Sequence, residues 1–275
     1  MHYSRRDFFT AAFGAMFVTF SGCAAHNRSS LRCPATVEDF VVENHLGPLP
    51  VYRSKAGAGP PIFLLHELTG MSPANLSLAQ CLAREGFSIF LPLLFGEPGQ
   101  DRFFAGYLQS CVCGDFACSA LSAGSPIVAK LREVLAELIA RERSPVGIIG
   151  MCMTGALPIA LLGDGVEAAV LCQPTLPFNA LFGRPVGRQK EALWLSDDDI
   201  DRAKRSGTPV LALRYAGDQL SPGERMNTLR DIFQQRIATI EIGGEYQGHS
   251  TLAGDWDEDA FADAVTYLKV RLGVE

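Results

Sequence analysis

Gly147-Ile148-Ile149-Gly150-Met151-Cys152-Met153-Thr154-Gly155 sets an apolar run directly before a glycine-flanked cysteine. A strand that turns sharply into a helix exposes the residue at the turn, and small neighbours let the backbone make that turn. The stretch therefore reads as a nucleophile elbow with Cys152 at its apex. Two later motifs fit around it: Gly217-Asp218-Gln219 follows the apolar run 210–215, and Gly248-His249-Ser250 lies near the C-terminus. Nucleophile, acid and base then occur in the chain order of an α/β-hydrolase. Each motif alone is weak, since a buried cysteine is most often a small hydrophobe. Three strand-end placements in the right order are much harder to produce by accident.

The residue types suit one chemistry. A thiolate, not a thiol, attacks a carbonyl, so Cys152 needs a base to take its proton and that base needs an orienting partner. His249 and Asp218 fill these roles. The remaining histidines are worse placed: His2 is near the N-terminus, His26 in a polar stretch, His45 before the Gly47-Pro48 turn and His66 beside Glu67. Upstream, Ile62-Phe63-Leu64-Leu65-His66-Glu67-Leu68-Thr69-Gly70 is an apolar strand running into a polar loop. In this fold the oxyanion hole takes one amide from such a loop and one from the residue after the nucleophile, which points to the amides of Leu68 and Met153. Glu67, at the strand end, is placed to accept the proton of a resting thiol or to bind loop amides.

These motifs, over roughly residues 41–274, resemble the dienelactone hydrolase family, cysteine-dependent α/β-hydrolases. The resemblance implies a Cys152, Asp218 and His249 triad, and a glutamate, Glu67, that interacts with the resting cysteine. Two departures are visible. Thr154 stands where the family usually has the first of two glycines, and the neighbourhoods Leu94-Phe95-Gly96 and Ser250-Thr251-Leu252-Ala253 lack the arginines that grip a dienelactone carboxylate. The implied substrate is therefore broader, a small carboxylic ester or lactone, with no cofactor and no metal.

The N-terminus carries a separate message. Ser4-Arg5-Arg6-Asp7-Phe8-Phe9 resembles a twin-arginine export signal, and the apolar segment 8–20 suits a signal-peptide core. Ser21-Gly22-Cys23 resembles a lipobox, which would make Cys23 the lipidated first residue of an exported, periplasmic or membrane-anchored protein. An uncleaved amphipathic anchor is the alternative. Residues 1–23 thus read as signal, 24–40 as a polar tether and 41–275 as the folded domain.

Size and composition suit that division. The chain has 275 residues, 48% hydrophobic and 20% charged, enough for one α/β core. The formal charge of -6 offers no basic footprint for nucleic acid. Apolar runs at 62–65, 88–91, 146–149, 168–171, 210–215 and 237–242 alternate with helical patterns, which predicts a mainly parallel sheet with helices on both faces. Ile127, Leu131, Val134, Leu135, Leu138 and Ile139 recur at helical spacing, with Glu137 and Arg141 expected as an outward pair. Ser196 is expected to cap a helix whose first turn holds Asp197, Asp198 and Asp199, a cheaper account of that acidic run than metal binding.

Cysteine usage leaves alternatives open. Cys111, Cys113 and Cys118 cluster, and in an oxidising compartment a disulfide could form within the cluster or to Cys33, Cys81 or Cys172. Phe95, Phe103, Phe104, Tyr107 and Phe116 read either as an aromatic wall above Cys152 or as a self-packed loop, and Glu245 and Tyr246 are candidates for the pocket mouth. Two other functions remain compatible with the motifs. One is an acyltransferase or peptidase using the same triad. The other is a lipid-anchored binding protein on an inactive hydrolase fold. Oligomeric state leaves no mark in the sequence.

Overall fold

Eight strands make one sheet: β1 (Phe40–Glu43), β2 (Val51–Ser54), β3 (Pro61–Leu65), β4 (Ser88–Pro92), β5 (Val146–Met151), β6 (Val166–Cys172), β7 (Val210–Tyr215) and β8 (Ile237–Ile242). This is a computed structural model, and it describes residues 31–101, 125–163, 165–176, 187–243 and 248–274. The spatial order is β1-β2-β4-β3-β5-β6-β7-β8. β1, β2 and β4 pair antiparallel, and every pairing from β4 through β3 to β8 is parallel. All six strands expected from the apolar runs are present, β7 and β8 with the expected bounds. The hairpin of β1 and β2 was not expected, because its strands are short and half-exposed and carry no continuous apolar run.

Side-chain alternation divides the core. Along β3 every residue is buried, but Ile62 and Leu64 enter one apolar layer while Phe63 and Leu65 enter the other. The first layer is closed by α1 (Pro73–Arg84) and, at the end of the chain, by α6 (Glu258–Leu272), through Leu78, Leu82, Val265 and Leu268. The second is closed by α2 (Pro126–Glu142), α3 (Leu157–Leu161), α4 (Asp197–Ser206) and α5 (Gly223–Phe233). A parallel strand buried on both faces must be apolar along its length, and that is why β3 and β5 to β7 were easy to find.

The helix over 126–142 buries the apolar face read from the sequence. Its expected Glu137 and Arg141 pair is not formed. Glu137 instead accepts the Gly47 amide at 2.8 Å, and Arg141 bridges to Glu43 and Glu142. The β1–β2 hairpin packs beside α2 and offers both residues partners that an isolated helix would lack. Ser196 caps α4 as expected, accepting the Asp199 amide at 3.2 Å, and Asp199 also pairs with Arg132. Among the described residues no group of side chains forms a metal-binding cluster.

The expected tether over 24–40 is shortened. Cys33 is bonded to Cys81 of α1, its amide donates to Ser77 at 3.2 Å, and Phe40 is buried at the start of β1, so the segment from residue 31 is packed onto the domain. Of the partners considered for a disulfide, Cys33 and Cys81 pair with each other, and Cys172 is a buried free thiol. Cys111, Cys113 and Cys118 lie outside the described residues, as do residues 1–30 with the signal motif and Cys23, and Phe103, Phe104, Tyr107, Phe116, Glu245 and Tyr246. Among the described residues no helix is long and apolar enough to cross a membrane.

The disulfide spans 48 positions, and closing a loop of that length removes entropy from the unfolded chain. The double variant Cys33→Ser, Cys81→Ser is expected to lose up to about 4 kcal/mol of stability, read as a lower denaturant midpoint with native near-UV circular dichroism before the transition.

Candidate active site

The elbow appears where the sequence placed it. β5 ends at Met151, and Cys152 follows in the left-handed backbone region with φ of 56°, opening a 3-10 turn over Cys152–Thr154. For a residue with a Cβ this conformation costs on the order of 1–3 kcal/mol, so the surroundings must enforce it. Glycine does part of that work by having no side chain. A Cβ on Gly150 would meet the Thr154 carbonyl oxygen at 2.4 Å, and one on Gly155 would meet the Cys172 carbonyl oxygen at 2.6 Å. The Cys152 carbonyl accepts the amides of Gly155 and Thr175, each at 2.9 Å.

Thr154, the departure from the family pattern, contributes to this enforcement. Its buried hydroxyl accepts the Met151 amide at 3.0 Å and lies 3.0, 3.1 and 3.2 Å from the carbonyls of Met151, Leu65 and His66, to one of which it donates. A glycine could make neither bond. The side chain sets the elbow against the end of β3, from which the next loop departs.

That loop carries Glu67 and Leu68. Leu68, Met153, Phe95 and Cys152 form a small apolar cluster of their own, so the two residues expected to supply oxyanion amides flank the sulfur. No amide hydrogen bond from Leu68 or Met153 occurs among the described backbone bonds. His66 pins the loops from behind. Its Nε2 accepts the Leu94 amide at 3.1 Å, which leaves Nδ1–H to donate to the Glu67 carbonyl at 2.9 Å. The ring is fully buried, and burial pushes its pKa from 6.5 down to about 4.

His249 follows β8 and is held at both ends. Its amide donates to Asp255 Oδ2 at 2.7 Å, and the Ser250 amide donates to the same oxygen at 3.0 Å. Its Nδ1 lies 2.7 Å from Asp218 Oδ2, and the other Asp218 oxygen takes the amides of Leu220 and Ser221 at 2.9 and 3.2 Å. Arg214 braces the Asp218 loop by donating to the carbonyls of Ala216, Asp218 and Ser221. Burial would push the His249 pKa down, but the Asp218 carboxylate and the Cys152 sulfur beside the ring outweigh it and hold the imidazole well above its usual range. The structure therefore brings Cys152, His249 and Asp218 together, all buried.

Glu67 is placed differently from expectation. Its Oε1 accepts from Ser250 Oγ at 2.7 Å and from Gln173 Nε2 at 2.9 Å, and no described hydrogen bond joins it to Cys152. Burial raises its pKa, against the pull of the Ser250 hydroxyl and of His249. Gln173 completes the network. Its side-chain oxygen takes the Thr251 hydroxyl at 2.6 Å, and its carbonyl takes the Thr175 hydroxyl at 3.0 Å. Gln173, Thr175 and Asp255 went unnoticed in the sequence, and Thr251 was read only as part of a neighbourhood without arginine, although Gln173-Pro174-Thr175 directly follows the apolar β6. A polar pair around a proline at a strand end was the available signal.

The neighbourhoods lacking arginine are filled by other means. Phe95 packs on Cys152, Thr251 is tied to Gln173, and Leu252 and Ala253 are buried in the core.

A family model described as the dienelactone hydrolase family matches residues 50–262. No curated protein matches the sequence. Among solved structures, a candidate dienelactone hydrolase from Klebsiella pneumoniae superposes with a TM-score of 0.56 at 19% identity, covering 85% of this chain and 97% of its own. A Pyrococcus furiosus esterase gives 0.58 at 13% identity, covering 91% and 97%. A puromycin-hydrolysing peptidase from Mycobacterium tuberculosis gives 0.58 at 14%, covering 86% of this chain and 40% of that one. At these identities the likeness is one of fold.

Two expectations follow from the geometry. Thr154→Val keeps the shape but leaves the Met151 amide without its acceptor, which costs about 1–3 kcal/mol in a denaturant titration. His66 is neutral in the folded state and titrates near 6.5 when unfolded, so the unfolded chain binds more protons below that value. Its contribution to stability is full above about pH 6.5 and is lost as pH falls toward 4, by about 3 kcal/mol at most. In His66→Gln that part of the stability profile should flatten.

Proposed function

The chain is a hydrolase of the dienelactone hydrolase family, and from that premise we propose that it cleaves a small carboxylic ester or lactone through Cys152, His249 and Asp218. The observation that carries this reading is the buried His249–Asp218 pair at 2.7 Å beside a cysteine held at a φ of 56°. An elbow strained in this way has no evident structural purpose other than to present a side chain.

In this reading the substrate carbonyl lodges between the amides of Leu68 and Met153, where developing negative charge meets fixed donors. The Cys152 thiolate attacks the carbonyl carbon. The carbon–oxygen bond to the alcohol breaks as His249 Nε2 gives its proton to the leaving oxygen, and a thioester remains. His249, now neutral, takes a proton from water, the hydroxide adds to the thioester, and the carbon–sulfur bond breaks to restore the thiolate and the imidazolium. Asp218 fixes the ring tautomer throughout. Glu67 contributes by anchoring Ser250, and hence the His249 loop, to the loop that carries Leu68.

The apolar surroundings of the sulfur, Leu68, Phe95 and Met153, favour an uncharged acyl group over a carboxylate-bearing one. The Cys33–Cys81 disulfide supports an exported protein, because such bonds persist in oxidising compartments. Export through the signal motif, with attachment to a membrane through Cys23, is part of the same proposal.

The test is hydrolysis of p-nitrophenyl esters and simple lactones by the full chain, before and after iodoacetamide treatment. Cys152→Ala is expected to lower kcat by roughly 10³-fold or more while the near-UV circular dichroism stays native. Full activity in that variant would remove the assignment. Transfer of the acyl group to an added alcohol, or cleavage of an amide in preference to the ester, would move the protein to the acyltransferase or peptidase class.

A further inference from the structure

Arg225, in the first turn of α5, is an arginine with no exposed surface. Burying a guanidinium is costly unless its N–H groups find partners, and here the partners are all backbone carbonyls. Nη1 donates to Pro174 at 2.6 Å and to Leu220 at 3.0 Å, Nε donates to Ala192 at 2.8 Å, and Nη2 to Gln189 at 2.8 Å. Burial pushes the Arg225 pKa from 12.5 down to about 10, with the Asp218 carboxylate pulling the other way, so the group stays charged at neutral pH.

Those carbonyls lie on three separate segments. Pro174 is in the loop after β6, between Gln173 and Thr175, and Thr175 donates its amide to the Cys152 carbonyl at 2.9 Å. Leu220 is in the loop after β7, and its amide is bound by Asp218 Oδ1 at 2.9 Å. Gln189 and Ala192 belong to the stretch that leads into α4. One nitrogen, Nη1, therefore joins the loop that holds the acid to the loop that clamps the nucleophile. Arg214 does not supply this link, because its backbone acceptors Ala216, Asp218 and Ser221 all lie in a single loop. Arg214 shapes that loop, whereas Arg225 sets where it stands relative to the elbow.

The backbone beside these anchors is strained. Gln173, next to Pro174, has a φ of 33°, and Trp194, two residues after Ala192, has a φ of 59°. Such conformations persist only where the surroundings enforce them. A lysine could carry the charge but not the fork, since its three donors leave from one atom and the carbonyls here are met by three nitrogens.

Resting on the assignment of Cys152, His249 and Asp218 given above, we propose that Arg225 is a positioning residue for the hydrolysis, which registers the Asp218 loop against Cys152 and so aims His249 at the leaving oxygen. The step that depends on this register is general-acid transfer: the carbon–oxygen bond breaks as the proton passes from Nε2 to the departing alkoxide. p-Nitrophenolate leaves readily without that proton, so an aryl ester serves as an internal control.

The experiment compares the ethyl and p-nitrophenyl esters of one short-chain acid as substrates of the full chain, wild type and Arg225→Lys. The ratio of the two kcat/KM values does not depend on how much of a sample is correctly folded. In Arg225→Lys the ethyl-to-p-nitrophenyl ratio should fall about tenfold, with native near-UV circular dichroism. A ratio equal to that of the wild type overturns the proposal, because a loss of folded protein lowers both rates alike. The wild type alone gives a second reading that no folding defect can obscure. A guanidinium held by carbonyls on three segments does not rotate freely, so in a sample with nitrogen-15 labelled arginine the two Arg225 Nη groups should give separate signals. A single averaged signal overturns the proposal. Wild type that turns over neither ester sinks the hydrolase assignment and this inference with it, whereas an unchanged ratio in an active enzyme sinks only the role of Arg225.

Discussion

A cysteine in a left-handed backbone conformation is unstable wherever its neighbours permit an alternative, and most of this site's construction is the removal of alternatives. Gly150 and Gly155 let neighbouring backbone come close enough for the chain to turn. The Cys152 carbonyl is bound twice, from its own 3-10 turn and from Thr175 on the neighbouring strand end. Thr154 then places its hydroxyl within hydrogen-bond reach of the carbonyls at the end of β3. Cys152, the loop that holds Leu68 and the strand end that bears Thr175 are thus set relative to one another by a few hydrogen bonds around a single strained residue. Parallel strands supply the rest, because β3, β5, β6 and β7 all end at the same edge of the sheet.

Behind the sulfur lies a buried polar network that is costly if any member is unpaired and rigid if all are paired. Gln173 is its centre. Thr251 occupies its side-chain oxygen, which orients the amide so that its nitrogen donates toward Glu67. Ser250 takes the Gly254 amide and is left to donate to the same carboxyl oxygen. The direction of each bond follows from the one before it, starting from backbone groups whose polarity is fixed. This chain of donors explains why the Glu67 carboxyl, whose position the sequence indicated, is turned toward the His249 loop and not toward Cys152.

How much of this was legible depended on the kind of signal each feature leaves. Strands buried on both faces must be apolar throughout, so β3 and β5 to β7 stood out, whereas the hairpin of β1 and β2 is short and half-exposed and did not. Cys152, Asp218, His249 and Glu67 were legible because motif and strand end coincide. Gln173, Thr175 and Asp255 were not, since a buried Gln or Thr carries no local pattern and its meaning lies in which distant group it meets. Thr154 looked like a flaw for the same reason: its hydroxyl meets carbonyls at the end of β3, nearly ninety positions away. The disulfide was foreseen as a class of bond, but its partners depend on where the segment at residue 33 lies against α1, and hydropathy does not report that.

The bond between Cys33 and Cys81 also redirects force. A pull applied between residue 31 and the C-terminal end would travel through the sulfurs from one side of the cross-link to the other, because a covalent bridge does not lengthen. Positions 34 to 80 form a closed bight outside that line of tension, and they include β1, β2, β3 and the loop bearing Glu67 and Leu68. The part of the site built on β3 is mechanically short-circuited, so a protein tugged by its N-terminal segment would strain α1 before it disturbed the loop beside Cys152.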